Sequence, residues 1–268
     1  MNTDQQAGIP ANRILITGAS RGIGSYIAEG LANSSRTLIL VARKASHLDP
    51  VASACETAGA DVCILGCDLS KRESIAQMIK VVLSDGAPDM IVNCAGVSGQ
   101  EVAPWESDPD QWWQTQLVNL RAPYLIQRGL VPTMLEHGGG RILDLSSGAA
   151  VTDFETSSDY WTSKTALFRL GSSMHVAGFD RGLRVLEMAP GVVQTDMTRH
   201  MKMHEGRTQW TDPEDVVAIA SAFADGKLDG LSGAFVRAGV DSLGSLIEKS
   251  IAGIGSDERR LRVTPWAK

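Results

Sequence analysis

Near its amino end the chain carries a short apolar run, Ile14-Leu15-Ile16 behind Arg13, that passes directly into Thr17-Gly18-Ala19-Ser20-Arg21-Gly22-Ile23-Gly24. A run apolar at consecutive rather than alternate positions is the pattern of a strand buried on both faces of a parallel sheet. After the glycines, Ile27, Ala28 and Leu31 recur at helical spacing. Strand, glycine turn and helix in this order restrict the chain strongly, because parallel strands need long crossover connections. The same unit then repeats. Apolar runs at 37–41, 62–65 and 90–92 alternate with helical patterns over 46–58 and 75–83. A long helical pattern over 109–135, with Gly138-Gly139-Gly140 after it, precedes a fifth run at 141–145. A helix over 160–179, with Leu167, Leu170, Met174 and Val176 as its buried side, precedes a sixth at 185–188. Asp212-Pro213 opens another helix before the seventh run at 234–236, with aspartate as cap and proline at the first helical position. The repetition predicts an α/β fold built on a parallel sheet. No Pro/Gly/Ser-rich linker and no solenoid repeat divides the chain. The expectation is therefore one domain over 13–240, a loose lead-in over 1–12, and an extension over 241–268 packed on that domain.

Charge limits what such a fold binds. The 268 residues include 25 basic and 31 acidic side chains, a net charge of −6. A nucleic-acid or membrane-surface binder would carry the opposite balance, so neither partner is expected. No apolar run approaches the ~20 residues of a membrane span. The first twelve residues lack a basic segment followed by an apolar one, and a cytoplasmic location is expected. Cys55, Cys63, Cys67 and Cys94 show neither CxxC spacing nor histidines at zinc distances. They read as reduced thiols, with no metal site. His200 and His204 lie four apart without a carboxylate pattern and read as solvated helix residues.

The glycine turn has a chemical use. Glycine lets the backbone turn tightly and approach a pyrophosphate, and a helix amino terminus offers unpaired N–H groups and a positive dipole end. The spacing of Gly18, Gly22 and Gly24 is GxxxGxG rather than the familiar GxGxxG, and a purely structural turn would also use it. At the end of the second strand an acid would favour NAD, whereas an arginine accommodates the 2′-phosphate of NADP. The strand closes with Val41-Ala42-Arg43-Lys44, and Arg21 lies inside the glycine turn. Cations without an acid favour NADP(H), with NAD(H) possible.

A second feature lies later in the chain. Tyr160 and Lys164 are four residues apart on one helix face, and Ser147 precedes the tyrosine by thirteen. A phenol ordinarily ionises near pH ~10, and a fixed positive charge beside it favours the phenolate. A lone Tyr-Lys pair on an amphipathic helix is commonplace; its meaning depends on the remaining motifs.

Those motifs occur together and in order: Thr17-Gly18-xxx-Gly22-x-Gly24, Asp68, Asn93-Cys94-Ala95-Gly96, Asn119, Ser147, Tyr160-xxx-Lys164, and Pro190-Gly191-Val192-Val193-Gln194-Thr195. With them the chain resembles the short-chain dehydrogenase/reductase family over about 13–239. The resemblance implies a single Rossmann-type, doubly wound, seven-stranded parallel sheet with helices on both faces, and a homodimer or homotetramer. It implies that Tyr160 is the general acid/base, that Lys164 holds the nicotinamide ribose and lowers the tyrosine's pKa, and that Ser147 bonds the substrate oxygen. Asn119 would order the helix and a water relaying protons to Lys164. Cofactor contacts would come from Gly18, Ser20, Arg21, Gly22, Ile23 and Gly24, and from Arg43. Asp68 and Leu69 would lie at the adenine, Asn93, Ala95 and Gly96 at the adenosine ribose, and Pro190, Gly191, Val193 and Thr195 at the nicotinamide.

Two departures stand out. Cys94 occupies a position where the family more often has asparagine, and Leu186-Glu187-Met188 differs from the Asn-Ala-Val of acyl-carrier-protein ketoreductases. Substrate choice would fall to the loops 97–101, 148–159 and 197–210. The last carries Met197, Met201, Met203 and Trp210, a composition suited to an adaptable apolar lid over about 196–212. The expected activity is NADPH-dependent reduction of a ketone or aldehyde. The alternatives are oxidation of a secondary alcohol with NAD(P), or a dinucleotide-binding regulator that kept the fold and lost catalysis. Such a regulator would typically have lost the Tyr or the Lys, and this chain retains both.

Overall fold

The computed structural model describes residues 8–199, 201–264 and 266. Its centre is a seven-stranded, all-parallel sheet in the order β3-β2-β1-β4-β5-β6-β7. The strands are β1 (Arg13–Thr17), β2 (Thr37–Ala42), β3 (Asp61–Gly66), β4 (Met90–Asn93), β5 (Gly140–Leu145), β6 (Leu183–Ala189) and β7 (Phe235–Arg237). Between them run α1 (Ile23–Leu31), α2 (Asp49–Thr57), α3 (Arg72–Ser84), α4 (Pro109–Gln116), α5 (Ala122–Glu136) and α6 (Ser158–Gly178). The short α7 (Asp196–Arg199), α8 (Pro213–Ala224) and α9 (Leu243–Ala252) follow.

Strand side chains alternate between two helical layers. Ile14, Ile16, Leu38, Leu40, Val92, Leu143 and Leu186 pack with Ile27, Leu31 and Phe223. Leu15, Ile39, Ile91, Ile142 and Val185 pack with Met78, Ile126 and Leu130 on the other face. Burying both faces explains why these strands read as unbroken apolar runs, each large side chain contributing about 1.5–3 kcal/mol. β3 lies at the sheet edge, and Ile64 is exposed there. Strand order reverses between β1 and β4, and in sheets of this kind ligands bind beyond the carboxyl ends of the strands at such a reversal.

Several expectations needed correction. The lead-in ends earlier than residue 12: Ala11 is fully buried and its N–H donates to the Ala224 carbonyl at 2.8 Å, because residues 8–12 lie against the end of α8. Val176 is not on the buried side of α6 but 81% exposed; the buried side is formed by Ser163, Lys164, Leu167, Phe168 and Gly171. The helical stretch beginning at Pro109 is not uniform. A π-helical turn, Leu117–Arg121, separates α4 from α5, with the Ala122 N–H donating to the Leu117 carbonyl five residues back. α9 and the segment behind it lie on the main body: Leu246 is buried, Phe235 N donates to the Arg259 carbonyl, and Arg260 to the Ser232 carbonyl. All four cysteines are free thiols. Among the described residues no helix is long and apolar enough to cross a membrane, and no cluster of His, Cys, Asp or Glu could hold a metal. His200 lies outside the described residues.

Candidate active site

The carboxyl ends of β1, β4, β5 and β6 bring the motif residues to one edge of the sheet. After β1 the chain turns through Gly18 and Gly22, both at positive φ, +70° and +59°. A Cβ at Gly18 would lie 2.7 Å from the Ala95 Cα, and one at Gly24 would collide with the Gly18 carbonyl oxygen. Only glycine fits such a turn packed on the end of β4. The Thr17 hydroxyl locks the arrangement, accepting from the N–H groups of Cys94 and Ala95 and donating to the Val92 carbonyl. Gly22 caps α1 without any side-chain bond to the first-turn N–H groups. A diphosphate would supply what is missing there, so the turn fits the dinucleotide that the sequence suggested.

Arg21 reaches across this turn to Asp196 on α7 at 3.1 Å, joining the glycine turn to the segment expected to be a lid. Arg43 is exposed at the end of β2. It acts on Asp68 beyond β3, whose carboxyl is held below the usual range by the Ser70 hydroxyl first, against burial, with smaller help from Lys71 and Arg43. The Asn93 side chain is buried and donates to Asp144 at 2.6 Å, inside the sheet layer, so its expected contact with a ribose would come from its backbone. After β6, Gly191 has φ +70° and packs on Thr211, whose hydroxyl accepts from Val192 N. Val193 is buried, and Thr195 N donates to the Thr198 hydroxyl at 2.9 Å.

Ser147 follows β5, and its hydroxyl oxygen accepts from Ala149 N, leaving its O–H to donate elsewhere. Tyr160 and Lys164 occupy the first two turns of α6. Lys164 is 5% exposed; its Nζ donates to the Leu145 carbonyl at 2.6 Å and lies 5.7 Å from the Tyr160 ring centroid. Asn119, in the π-helical turn, is fully engaged. Its amide donates to the Val97 carbonyl (3.0 Å) and the Ser163 hydroxyl (3.1 Å), while its oxygen accepts from Val97 N (2.9 Å). The residue thereby fastens the loop after β4 to α6, one residue from Lys164.

Two contributors escaped the sequence reading. Asp159, buried beside Tyr160, accepts from Gln100 N and the Thr115 hydroxyl and pins the loop 97–101 over the site. Ser163 joins Asn119 to the Tyr160 carbonyl. Each lies next to a motif residue, but nothing in its local sequence marks it. Phe154 stacks on Trp161, next to Tyr160, with ring centroids 4.9 Å apart, and His204 meets Trp210 edge-on in the segment after β6. Met197 and Met203 are partly exposed, and Met203 N donates to Glu101.

Comparison with known proteins agrees with this geometry. A family model described as short chain dehydrogenase matches residues 12–206. The human protein called Dehydrogenase/reductase SDR family member 4 is 28% identical over 223 residues, covering 79% of this chain and 80% of that one. Gluconate 5-dehydrogenase of Gluconobacter oxydans is 28% identical over 200 residues, with 74% and 77% covered. The crystal structure of a metagenomic short-chain oxidoreductase in complex with NADP is 30% identical and superposes with a TM-score of 0.70, covering 80% of this chain and 90% of that one. With a parallel sheet in this order, a glycine turn at its reversal and Tyr160 and Lys164 at its edge, the chain belongs to the short-chain dehydrogenase family of oxidoreductases.

Proposed function

We propose that the chain is an NADPH-dependent carbonyl reductase, acting between nicotinamide and a ketone, an aldehyde or the corresponding secondary alcohol. The observation that carries this reading is Lys164, an almost fully buried ammonium beside the half-buried phenol of Tyr160. Burying a cation is costly, and a cation against a phenol has a use: it favours the phenolate. Tyr160 can then give a proton to a carbonyl oxygen, or take one from an alcohol. Ser147, with its O–H available, donates to the same oxygen and holds it against Tyr160.

The dinucleotide would be held by the backbone of Gly18 to Gly24 at its diphosphate and by Asp68, Leu69, Ala95 and Gly96 around its adenosine. Pro190, Gly191, Val193 and Thr195 would lie at its nicotinamide, which supplies the hydride. Arg43 would meet a 2′-phosphate, the basis for preferring NADPH. Phe154, Trp161, Met197, Met203 and Trp210 would line the approach with apolar surface, which would suit a moderately apolar substrate and limit water at the reacting carbon. Trp113 and Tyr124, exposed on the α4–α5 stretch, support assembly into a homodimer or homotetramer.

The test is NADPH oxidation across a broad panel of ketones and aldehydes. Turnover of at least one substrate class is expected. No turnover of any, with tight NADPH binding, would contradict the reading.

A further inference from the structure

One polar row crosses the interior of the sheet. Asn93 on β4 is in register with Asp144 on β5, and Asp144 with Glu187 on β6. Their exposures are 3%, 0% and 0%. Paired positions on parallel strands share a face, and this face looks toward α5 and α6. From α5, Gln127 donates to both oxygens of Asp144, at 3.2 and 3.3 Å, beside the Asn93 amide at 2.6 Å. From α6 comes Gly171, where a Cβ would collide with Glu187 Oε1 and sit 3.4 Å from Asp144 Oδ2. The missing side chain at Gly171 is the space the Glu187 carboxyl occupies. Asp144 thus has the donors an ionised carboxylate needs. Glu187 has none from nitrogen: both its oxygens lack an N–H partner among the described residues.

The same face of α6 carries Lys164 two turns earlier. Its ammonium is bonded to the carbonyl of Leu145, the residue after Asp144, and it forms no ion pair among the described residues. A buried cation needs a counter-charge, and the row supplies one across a short stretch of β5. Two adjoining carboxyls in an interior do not both ionise.

We propose that Asp144 and Glu187 hold one proton between them and act as the single buried counter-charge of Lys164, a positioning pair that sets how readily Tyr160 parts with its proton. The Glu187 O–H donates to the Asp144 carboxylate, and no proton leaves the pair during turnover. This proposal rests on the general acid/base reading of Tyr160.

The electrostatics agree with the geometry. Burial raises both carboxyls, and Glu187 lies well above the usual range, from burial first and then from the charge of Asp144; Lys164 and the Ser146 hydroxyl oppose this. Every element around the pair contributes little other charge. Asn93 and Gln127 are neutral amides, and Cys94, at the end of β4, is a thiol that burial pushes up and so keeps protonated. β7 places Phe235 in register with Glu187. On α6, His175 lies beyond Gly171 and is engaged with Ser232. Among the described residues, Lys164 is the cation whose charge acts on both members.

Two measurements on the intact protein test the pair, and neither needs a substrate. In the infrared at pH 7, where exposed carboxyls are ionised, the wild type should show a protonated-carboxyl C=O stretch that Glu187→Gln lacks. Absence of the band in wild type, or its persistence in Glu187→Gln, overturns the shared proton. Tyrosinate absorbance, taken as the difference from a Tyr160→Phe background because the chain has 3 tyrosines, reads the second half. Removing the shared negative charge with the double variant Asp144→Asn/Glu187→Gln, in which neither carboxyl can take it up, should move the Tyr160 ionisation midpoint down by about 1 pH unit, the size expected of a partly screened buried charge. An unmoved or raised midpoint overturns the coupling to Tyr160. If a substrate is found, the pH profile of kcat should move by the same amount and direction. If none is found, the two spectroscopic results still decide the pair, separately from the reductase reading.

Discussion

The ammonium of Lys164 lies 5.7 Å from the ring centroid of Tyr160 while bonded to the carbonyl of Leu145 at 2.6 Å. One residue of α6 therefore reaches both the end of β5 and the phenol above it. Replacing Lys164 with methionine keeps the buried chain length and removes the charge. Catalytic efficiency toward a good carbonyl substrate is expected to fall about 100-fold or more. The melting temperature should fall as well, because the buried negative charge shared by Asp144 and Glu187 loses its counter-cation. A lower melting temperature with full activity would mean that the charge serves the fold.

Asn119 spends its whole side chain on Val97 and Ser163. Asn119→Ala leaves a backbone N–H and a carbonyl of the loop without partners, at a cost of about 1–3 kcal/mol. Denaturant titration should show this loss, and activity should fall with it as the loop after β4 loosens.

Arg43 is the charge that distinguishes the two dinucleotides in this reading. Arg43→Ala should weaken NADPH binding about 10-fold, within the range for a hydrogen bond to a charged group, and leave NADH nearly unaffected. Calorimetric titration with each cofactor checks this, and equal losses would remove the phosphate assignment.

Glu187 makes the stability of the protein depend on pH. Its folded-state pKa is raised by burial and by Asp144, so its contribution to the folded state is full below the unfolded glutamate value of about 4.3. That contribution declines as pH rises toward the raised native value. Glu187→Gln keeps the shape and carries no proton to lose. Its stability relative to wild type should grow as pH rises above the unfolded glutamate value toward the raised native one, at up to about 1.4 kcal/mol per pH unit. Urea melts at a series of pH values measure it; a constant difference would contradict a raised carboxyl.

Much of this fold is written in local pattern. β1, β2 and β4 are buried on both faces, which requires the consecutive apolar residues that mark them in the sequence. Gly18 and Gly24 announce the turn because no side chain fits against Ala95 and the Gly18 carbonyl. What stayed hidden depends on residues distant in sequence. The π-helical turn around Asn119 has no compositional mark, and Asp159 works through Gln100 and Thr115. Glu187 looked like a simple departure in a strand until register set it beside Asp144 and packing set it against Gly171. Residues 8–12 read as loose because their anchor, the end of α8, lies some two hundred residues away.

The most direct measurement is kcat/KM of Tyr160→Phe with NADPH and a substrate that the wild type turns over. Phenylalanine keeps the ring against Trp161 and Lys164 and removes only the hydroxyl. The expected result is a loss of about 100-fold to 10,000-fold, with NADPH affinity little changed. A variant that reduced the carbonyl at the wild-type rate would contradict Tyr160 as the proton donor.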